Sequence, residues 1–472
     1  MESQNYSFNN LEDLMKSNLK ALTYIDLQFE NCTFGKEQVA QLNTSLVQCQ
    51  KLESLVLNLK QNQIGDDGAS TIGTTLRNCK FLTILVFDVS DNKISDKGAQ
   101  NIWLGLNDCS QLTNLQFAMN SNQIGDDGAT TIGTALGNCK SLTNLYFDIS
   151  QNKIGDTGAQ YIGLGLSNCT QLTNLQFGIN QNQIGDDGAS TIGTALGNCK
   201  SLTNLDFQIW DNKIGDKGAQ NIGLGLSNCT QLTNLQLGIG LNQIGDDGVS
   251  TICTALGNCK FLTSLNFDIQ QIQIGDKGAQ YIGLGLSNCT QLTNLQLGIG
   301  LNQIGDDGIS TIVTAFGNCK FLTNLNLDIS QNQIGDRGVQ YIGLGLSNCT
   351  QLTNLQFWIN ENQIGDDGAS TIGTALGNCK SLTNLDLDIS ENKIGDEGAL
   401  NIALCLSNCS RLINLTFSSD NNDKLLKSSS IINCQNIKLL NISLQNQPER
   451  QTEIKRLAQK IKRLVKLKVD VD

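Results

Sequence analysis

Apolar residues recur along most of this chain in one fixed order of positions. After Cys139, the residues Leu142, Leu145, Phe147 and Ile149 are apolar, and Tyr146 and Asp148 alternate with them. That alternation is the period of a strand with one buried face. Asn152 and Ile154 follow. Asp156 then opens a stretch in which Ala159, Ile162 and Leu166 recur at three- and four-residue spacing, as on one face of a helix. The expected unit is a short strand, a turn at the asparagine and a helix. Asp156 is expected to accept from the free N–H groups at the start of that helix. Cys169 begins the pattern again.

The interval from Cys139 to Cys169 holds along the chain. The run I-G-D-D-G begins at Ile64, Ile124, Ile184, Ile244, Ile304 and Ile364, and a variant of it begins midway, at Ile94, Ile154, Ile214, Ile274, Ile334 and Ile394. Two alternating unit types therefore make a super-repeat of twice that interval, one reading G-D-D-G-A-S-T-I-G-T-A-L-G-N-C-K and the other G-D-K-G-A-Q-Y-I-G-L-G-L-S-N-C-T. A fixed period of this length predicts stacked supersecondary units, each burying its apolar face against the next.

The L-x-x-L-x-L…N-x-I pattern resembles the leucine-rich-repeat family from roughly Leu22 to Leu444. The long unit, the G-D-x-G-A helix start and the two alternating types are most similar to the ribonuclease-inhibitor class of that family. The resemblance implies an α/β leucine-rich-repeat solenoid. This would be a curved horseshoe with a parallel inner β-sheet, outer helices and about fifteen repeats of about 30 residues. One departure is systematic. The spacing from Phe147 to Asn152 is two residues longer than the family's usual one, which predicts an inner strand extended through Ile149.

The ends differ from the middle. Residues 1–21 are expected to form an N-terminal capping helix, read from Asn10 to Leu22, because the outer face of a terminal unit has no neighbour. The array spans 22–444. Its register breaks after Cys409: Cys434, Ile437, Leu440 and Ile442 repeat the strand signature sooner than the interval from Cys379 to Cys409 would place it. Residues 445–472 are expected to hold a basic amphipathic helix, Glu449 to Leu467, with Ile454, Leu457, Ile461 and Leu464 on one face, and a closing strand from Leu467 to Val471.

Candidate chemistry mostly dissolves into the repeat. Thirteen of the 17 cysteines share one column, from Cys49 through Cys79 and Cys109 to Cys409. With no C-x-x-C pair they suit a buried core position better than a zinc or redox site. Cys32 instead occupies the turn-asparagine column. That column, Asn62, Asn92, Asn122, Asn152 and onward, suits a side-chain amide that donates to and accepts from turn backbone. Ile272 interrupts it and is expected to mark a weak turn. Acid pairs such as Asp66-Asp67 lack the ligand alternation of a calcium loop and read as helix caps. The Asn-Cys-Thr triplets at Asn168, Asn228, Asn288 and Asn348 match a glycosylation sequon but carry a core cysteine. Gly163 and Gly165 lie inside a predicted helix, where small residues let helices touch, and no phosphate-binding loop accompanies them.

Charge and composition narrow the function. Lys and Arg number 32 against 44 Asp and Glu, a net charge of −12, which disfavours nucleic-acid binding. The chain has no histidine, which removes Ser-His-Asp and Cys-His catalysis and histidine metal sites. No secretory signal or membrane-length apolar run is visible, so cysteine usage suggests free thiols in the cytoplasm. No cofactor, no metal site, no membrane insertion and no enzymatic activity are expected.

The resemblance implies a non-enzymatic scaffold that holds a protein partner on a concave face. Strand residues between the inward ones would form that face; Lys and Arg are absent from it between Val86 and Ser390, while Asp recurs. The candidate contacts are Tyr146, Asp148, Asp206, Trp210, Asp268, Asp328, Trp358, Asp386 and Asp388, with a basic protein as partner. Two alternatives stay open. One is a GTPase-activating leucine-rich-repeat protein for a small GTPase, although those carry an acidic tail. Here the tail carries Arg450, Lys455, Arg456, Lys460, Lys462, Arg463, Lys466 and Lys468. The other is the sensing arm of a nucleotide-binding receptor, although no ATPase part is visible.

Overall fold

The computed structural model describes residues 5–8, 10–107, 109–419, 436–444, 455–456, 458, 461 and 464–471. The chain forms two compact units, Met1–Leu232 with Gln236–Gln243, and Thr233–Leu235 with Ile244–Asp472.

Each unit is a stack of the same strand–turn–helix element. In the first, parallel strands run from Asn5–Phe8 and Tyr24–Gln28 through Asn114–Ala118, Asn144–Asp148 and Asn174–Gly178 to Asn204–Gln208. In the second they run from Ser264–Asp268 through Asn324–Asp328, Asn354–Trp358 and Asn384–Asp388 to Asn414–Ser418, Leu439–Leu444 and Lys466–Val471. Within the array each strand pairs with its counterpart one repeat on, Leu145 with Leu175 and Leu325 with Leu355. The described residues hold 17 strands, against about fifteen expected. One unexpected strand is Asn5–Phe8, which precedes the first helix and pairs with Tyr24–Leu27. The N-terminal helix itself is short, Leu11–Lys16, followed by a 3-10 turn at Leu19–Ala21.

Period-2 burial holds along the array strands, with Ala118, Gly238 and Ser418 buried in addition at three strand ends. Leu145, Phe147 and Ile149 are almost fully buried, and so are Ala159, Ile162 and Leu166 of the following helix. The regular strand ends at Asp148, one residue short of the expected Ile149. Pairing nonetheless continues: Ile149 N–H donates to Gly178 O at 2.9 Å. Gln151, at φ +55°, then turns the chain. That left-handed column is filled by Asn, Gln, Asp, Ser, Leu and Glu rather than glycine.

The asparagine column lies beside this turn and ties one repeat to the one before. Asn152 Nδ2 donates to Met119 O, Ile149 O and Ser150 O at 3.0–3.2 Å, and its Oδ1 accepts from Ile124 N at 3.0 Å. One side chain thus satisfies four backbone groups at a buried position. At Ile272 the apolar side chain is itself buried, and Ile244 lacks the acceptor that Asn152 gives Ile124.

The aspartate caps differ from expectation in which helix they serve. Asp156 does not cap its own helix. Its Oδ1 accepts from Gly185 N and Gly188 N, both at 2.8 Å, at the start of the next repeat's helix. Asp126 does the same for Gly155 and Gly158, at 2.7 and 2.9 Å. The cap position is glycine, with no side chain of its own, so the acceptor has to come from a neighbour. The second aspartate of each pair stays exposed, as where Asp187 meets Lys217 at 3.1 Å.

Glycine inside the helices permits their close contact. A methyl group on Gly165 would overlap the Gly133 carbonyl of the adjacent helix. Trp103 stands in the column of Gly163 and instead fills the core, 4.5 Å from the Phe117 ring between centroids.

At the C-terminal end, Leu415 pairs with Leu440, the shortened register that the sequence pattern predicts, and Leu440 pairs with Leu467. Residues 449–454, 457, 459–460 and 462–463 of the expected basic helix lie outside the described residues, as does Cys434. Lys455, Arg456 and Ala458 are helical, and Ala458 and Ile461 are buried.

All thirteen column cysteines are buried and reduced. Burial pushes the Cys139 thiol up to about 11 and the Cys79 thiol up to about 12. Cys32 is exposed, its N–H bonded to Asn62 Oδ1 at 3.1 Å.

Three outcomes follow from this packing. Asp156→Ala removes two bonds to a charged acceptor and is expected to lower stability by about 2 kcal/mol, whereas Asp187→Ala, at an exposed ion pair, is expected to change it by less than about 0.5 kcal/mol. Urea unfolding of the two variants would distinguish them; equal losses would contradict the cross-repeat cap. Ile272→Asn restores the missing turn bonds and is expected to raise stability by about 1 kcal/mol. A loss in the same assay would show that the turn is packed for isoleucine. In the folded chain near neutral pH, thiol titration should label Cys32 quickly and leave the column unlabelled until denaturant is added, because only the thiolate reacts.

Candidate protein-binding face

The strand residues that do not enter the core form a solvent face on each sheet, and pairing brings them into rows. In the first unit one row runs Gln116, Tyr146, Gln176, Asp206 across consecutive strands. The next runs Ala118, Asp148, Gly178, Gln208. Trp210 lies two residues beyond Gln208, just past its strand. Tyr146 is exposed, and Trp210 is half-buried. Gly238 makes room for the Gln208 side chain, whose Oε1 a Cβ there would overlap, while Trp210 Cδ1 lies at ordinary contact distance, 3.5 Å.

In the second unit Asp268, Gly298, Asp328, Trp358 and Asp388 form one row, and Gln356 and Asp386 lie in the row beside it. Trp358 therefore stands between two aspartates on adjacent strands, with Asp386 beside it in the next row. The structure brings Tyr146, Asp148, Asp206 and Trp210 onto the first unit's face, and Asp268, Asp328, Trp358, Asp386 and Asp388 onto the second's.

These carboxylates are not equivalent. Asp148, Asp328 and Asp388 each spend one oxygen on the backbone two residues ahead, accepting from Ser150, Ser330 and Ser390 N at 3.0 Å. Asp268 does so with Gln270 N at 3.2 Å. The recurring D-I-S and D-I-Q triplets carried this signal: they close the strand ends as well as facing solvent. Asp206 and Asp386 have no such backbone bond and belong more to the face. Asp206 accepts from Gln208 Nε2 at 2.7 Å.

Crowding on the face changes its electrostatics. Burial pushes the Asp206 carboxyl above its ordinary value, partly offset by Gln208. Burial also raises Asp386; the neighbouring Trp358 and Gln356 side chains oppose this and Asp388 adds to it. The Tyr146 hydroxyl is raised by burial and then by Asp148, Asp88 and Asp206. Gln270 was not anticipated as a member of this network. With glycine at position 298 between them, its Nε2 reaches Asp328 Oδ2 at 3.0 Å, two strands away. Lys468 was also missed on the face. It extends the Asp386 row through Thr416 and Asn441 and carries a positive charge at its end.

Among the described residues, no group of three His, Cys, Asp or Glu is placed to hold a metal ion, and no helix is long and apolar enough to cross a membrane. What the face offers chemically is a regular array of amides, carboxylates and aromatic rings on a rigid sheet. Strands paired at a constant register and helices filling the return path define a repeat protein of the solenoid kind. A family model described as Leucine Rich repeat matches residues 48–73, 79–102, 111–133, 141–163, 231–253, 291–313, 321–343 and 379–403. A crystal structure of an internalin (inlF) from Listeria monocytogenes is similar over 86% of this chain and 92% of that one, with 25% identity and a TM-score of 0.54. No curated protein matches the sequence. Eight segments of the chain thus match leucine-rich repeats, and its fold is that of a leucine-rich-repeat solenoid.

Proposed function

We propose that the chain is a non-enzymatic scaffold that holds a basic protein through the solvent faces of its sheets. Trp358 carries this reading. It is a half-buried indole flanked along its row by Asp328 and Asp388, with Asp386 on the neighbouring strand. A rigid aromatic surface ringed by carboxylates suits a lysine- or arginine-bearing surface, and Trp and Tyr are common binding anchors. The helix that fills the outer part of each repeat, such as Asp156–Leu166, favours the ribonuclease-inhibitor class within the family. The buried free thiols favour a reducing compartment, in keeping with the cytoplasm.

The immobilised chain, used to capture partners from the source cell, supplies the ligand for the test. Trp358→Ala or Trp210→Ala is expected to weaken its affinity by about 1–2 kcal/mol, roughly 5- to 30-fold. Added salt should weaken binding as well. Unchanged affinity in both tryptophan variants, with binding abolished by neutralising Lys455, Arg456, Lys466 and Lys468, would move the function from the sheet face to the C-terminal segment.

A further inference from the structure

The outer helices of the second unit carry a feature that partner binding on the sheet leaves unused. Leu284, Leu344 and Leu404 project from alternate helices and are 61%, 69% and 56% exposed. The intervening helices carry exposed threonine at the equivalent position, Thr314 and Thr374. Core packing does not require leucine there. Nor has the position drifted as its neighbours have. One turn earlier, the corresponding residues are Tyr281, Tyr341 and Asn401, and at the helix start they are Lys277, Arg337 and Glu397.

The charges on either side of these leucines are segregated. Each helix of this unit begins with acid, as in Asp246-Asp247, Asp306-Asp307 and Asp366-Asp367, opposed there among the described residues only by Lys277 and Arg337. Just past the helix ends, the exposed charged residues are Lys260, Lys320, Lys380 and Arg411. The helical face is thus an acidic edge and a basic edge, separated by the roughly 16 Å length of an eleven-residue helix. The leucines lie between them.

We infer that this helical face docks a second copy of the chain. Charge complementarity selects both the partner and its orientation. A two-fold axis parallel to the row of helices makes the two sets of helices antiparallel. Each basic edge then meets the other copy's acidic edge, and leucine meets leucine between them. The alternative two-fold, parallel to the helices, opposes like edges and is disfavoured. Such an interface is isologous, as closed homodimers require. It leaves the sheet face of the second unit open, so its test is independent of the proposed function.

Sedimentation velocity of the full chain across a concentration series tests the inference. The expected result is reversible doubling of mass, weakened by salt. Leu284→Thr, Leu344→Thr and Leu404→Thr together, which import the residue of the intervening helices, should raise the dissociation constant at least tenfold. Two charge variants check the orientation: Lys260→Glu with Lys320→Glu and Lys380→Glu, and Asp247→Lys with Asp307→Lys and Asp367→Lys. These aspartates are not the capping ones, so both variants should stay folded by circular dichroism. Each alone should dimerise poorly, and an equimolar mixture should recover the dimer, because both edges of the mixed pair are then complementary. A native chain that remains monomeric at high concentration overturns the proposal, even if its helices capture a different protein. A dimer that is unaffected by the leucine changes, or not rescued by mixing, does so too.

Discussion

Most turns and helix starts in the array contain buried or part-buried backbone polar groups whose partners lie in the adjacent repeat. Asn152 accepts from an N–H 28 residues earlier, and Asp156 accepts from two N–H groups 29 and 32 residues later. A single repeat is therefore incomplete in hydrogen bonding as well as in apolar burial. Leaving a buried donor unpaired costs about 1–3 kcal/mol, so the stack is held in register by bonds that close only when the neighbouring repeat is correctly seated.

This constraint explains why so much of the sequence is repetitive and so little of it is catalytic. Cysteine, asparagine, aspartate and glycine, which in isolation suggest redox, metal or phosphate chemistry, are each consumed by a structural role at a fixed position. Cys139 packs in the core, Asn152 and Asp126 bond to backbone, and Gly165 admits the preceding helix. Variation is greatest at positions free of such a role, on the solvent face of the strands and the outer surface of the helices. Those are the surfaces on which recognition can evolve without unfolding the array, and the two proposals place one function on each.

Strand residues alternate in direction, so Tyr146, Asp206 and Trp358 could be assigned to the face from period alone. Their differing availability could not. Asp148 and Asp386 are both outward aspartates, yet the first bonds to Ser150 N while the second has no such backbone bond and stands opposite Gln356 on the neighbouring strand. Gln270 reaches Asp328 only because the strand between them contributes glycine. Such links depend on which side chain stands one or two strands away, and that is set by register rather than by local sequence.

The sequence by itself determined the period, the element in each part of the unit, the core columns and the shortened register at the end of the array. Periodicity reports which residues share a buried face, and removal of apolar surface from water is the main force acting at those positions. Tertiary structure decided which repeat each polar side chain serves. Asp156 looks like a cap for its own helix because capping signals are read locally, but the glycine at that cap opens the site to the preceding repeat's aspartate. It also decided that the polar segment Asn5–Phe8 is a strand. An edge strand draws its hydrogen bonds from the sheet it joins, and nothing in its own side-chain pattern has to announce them.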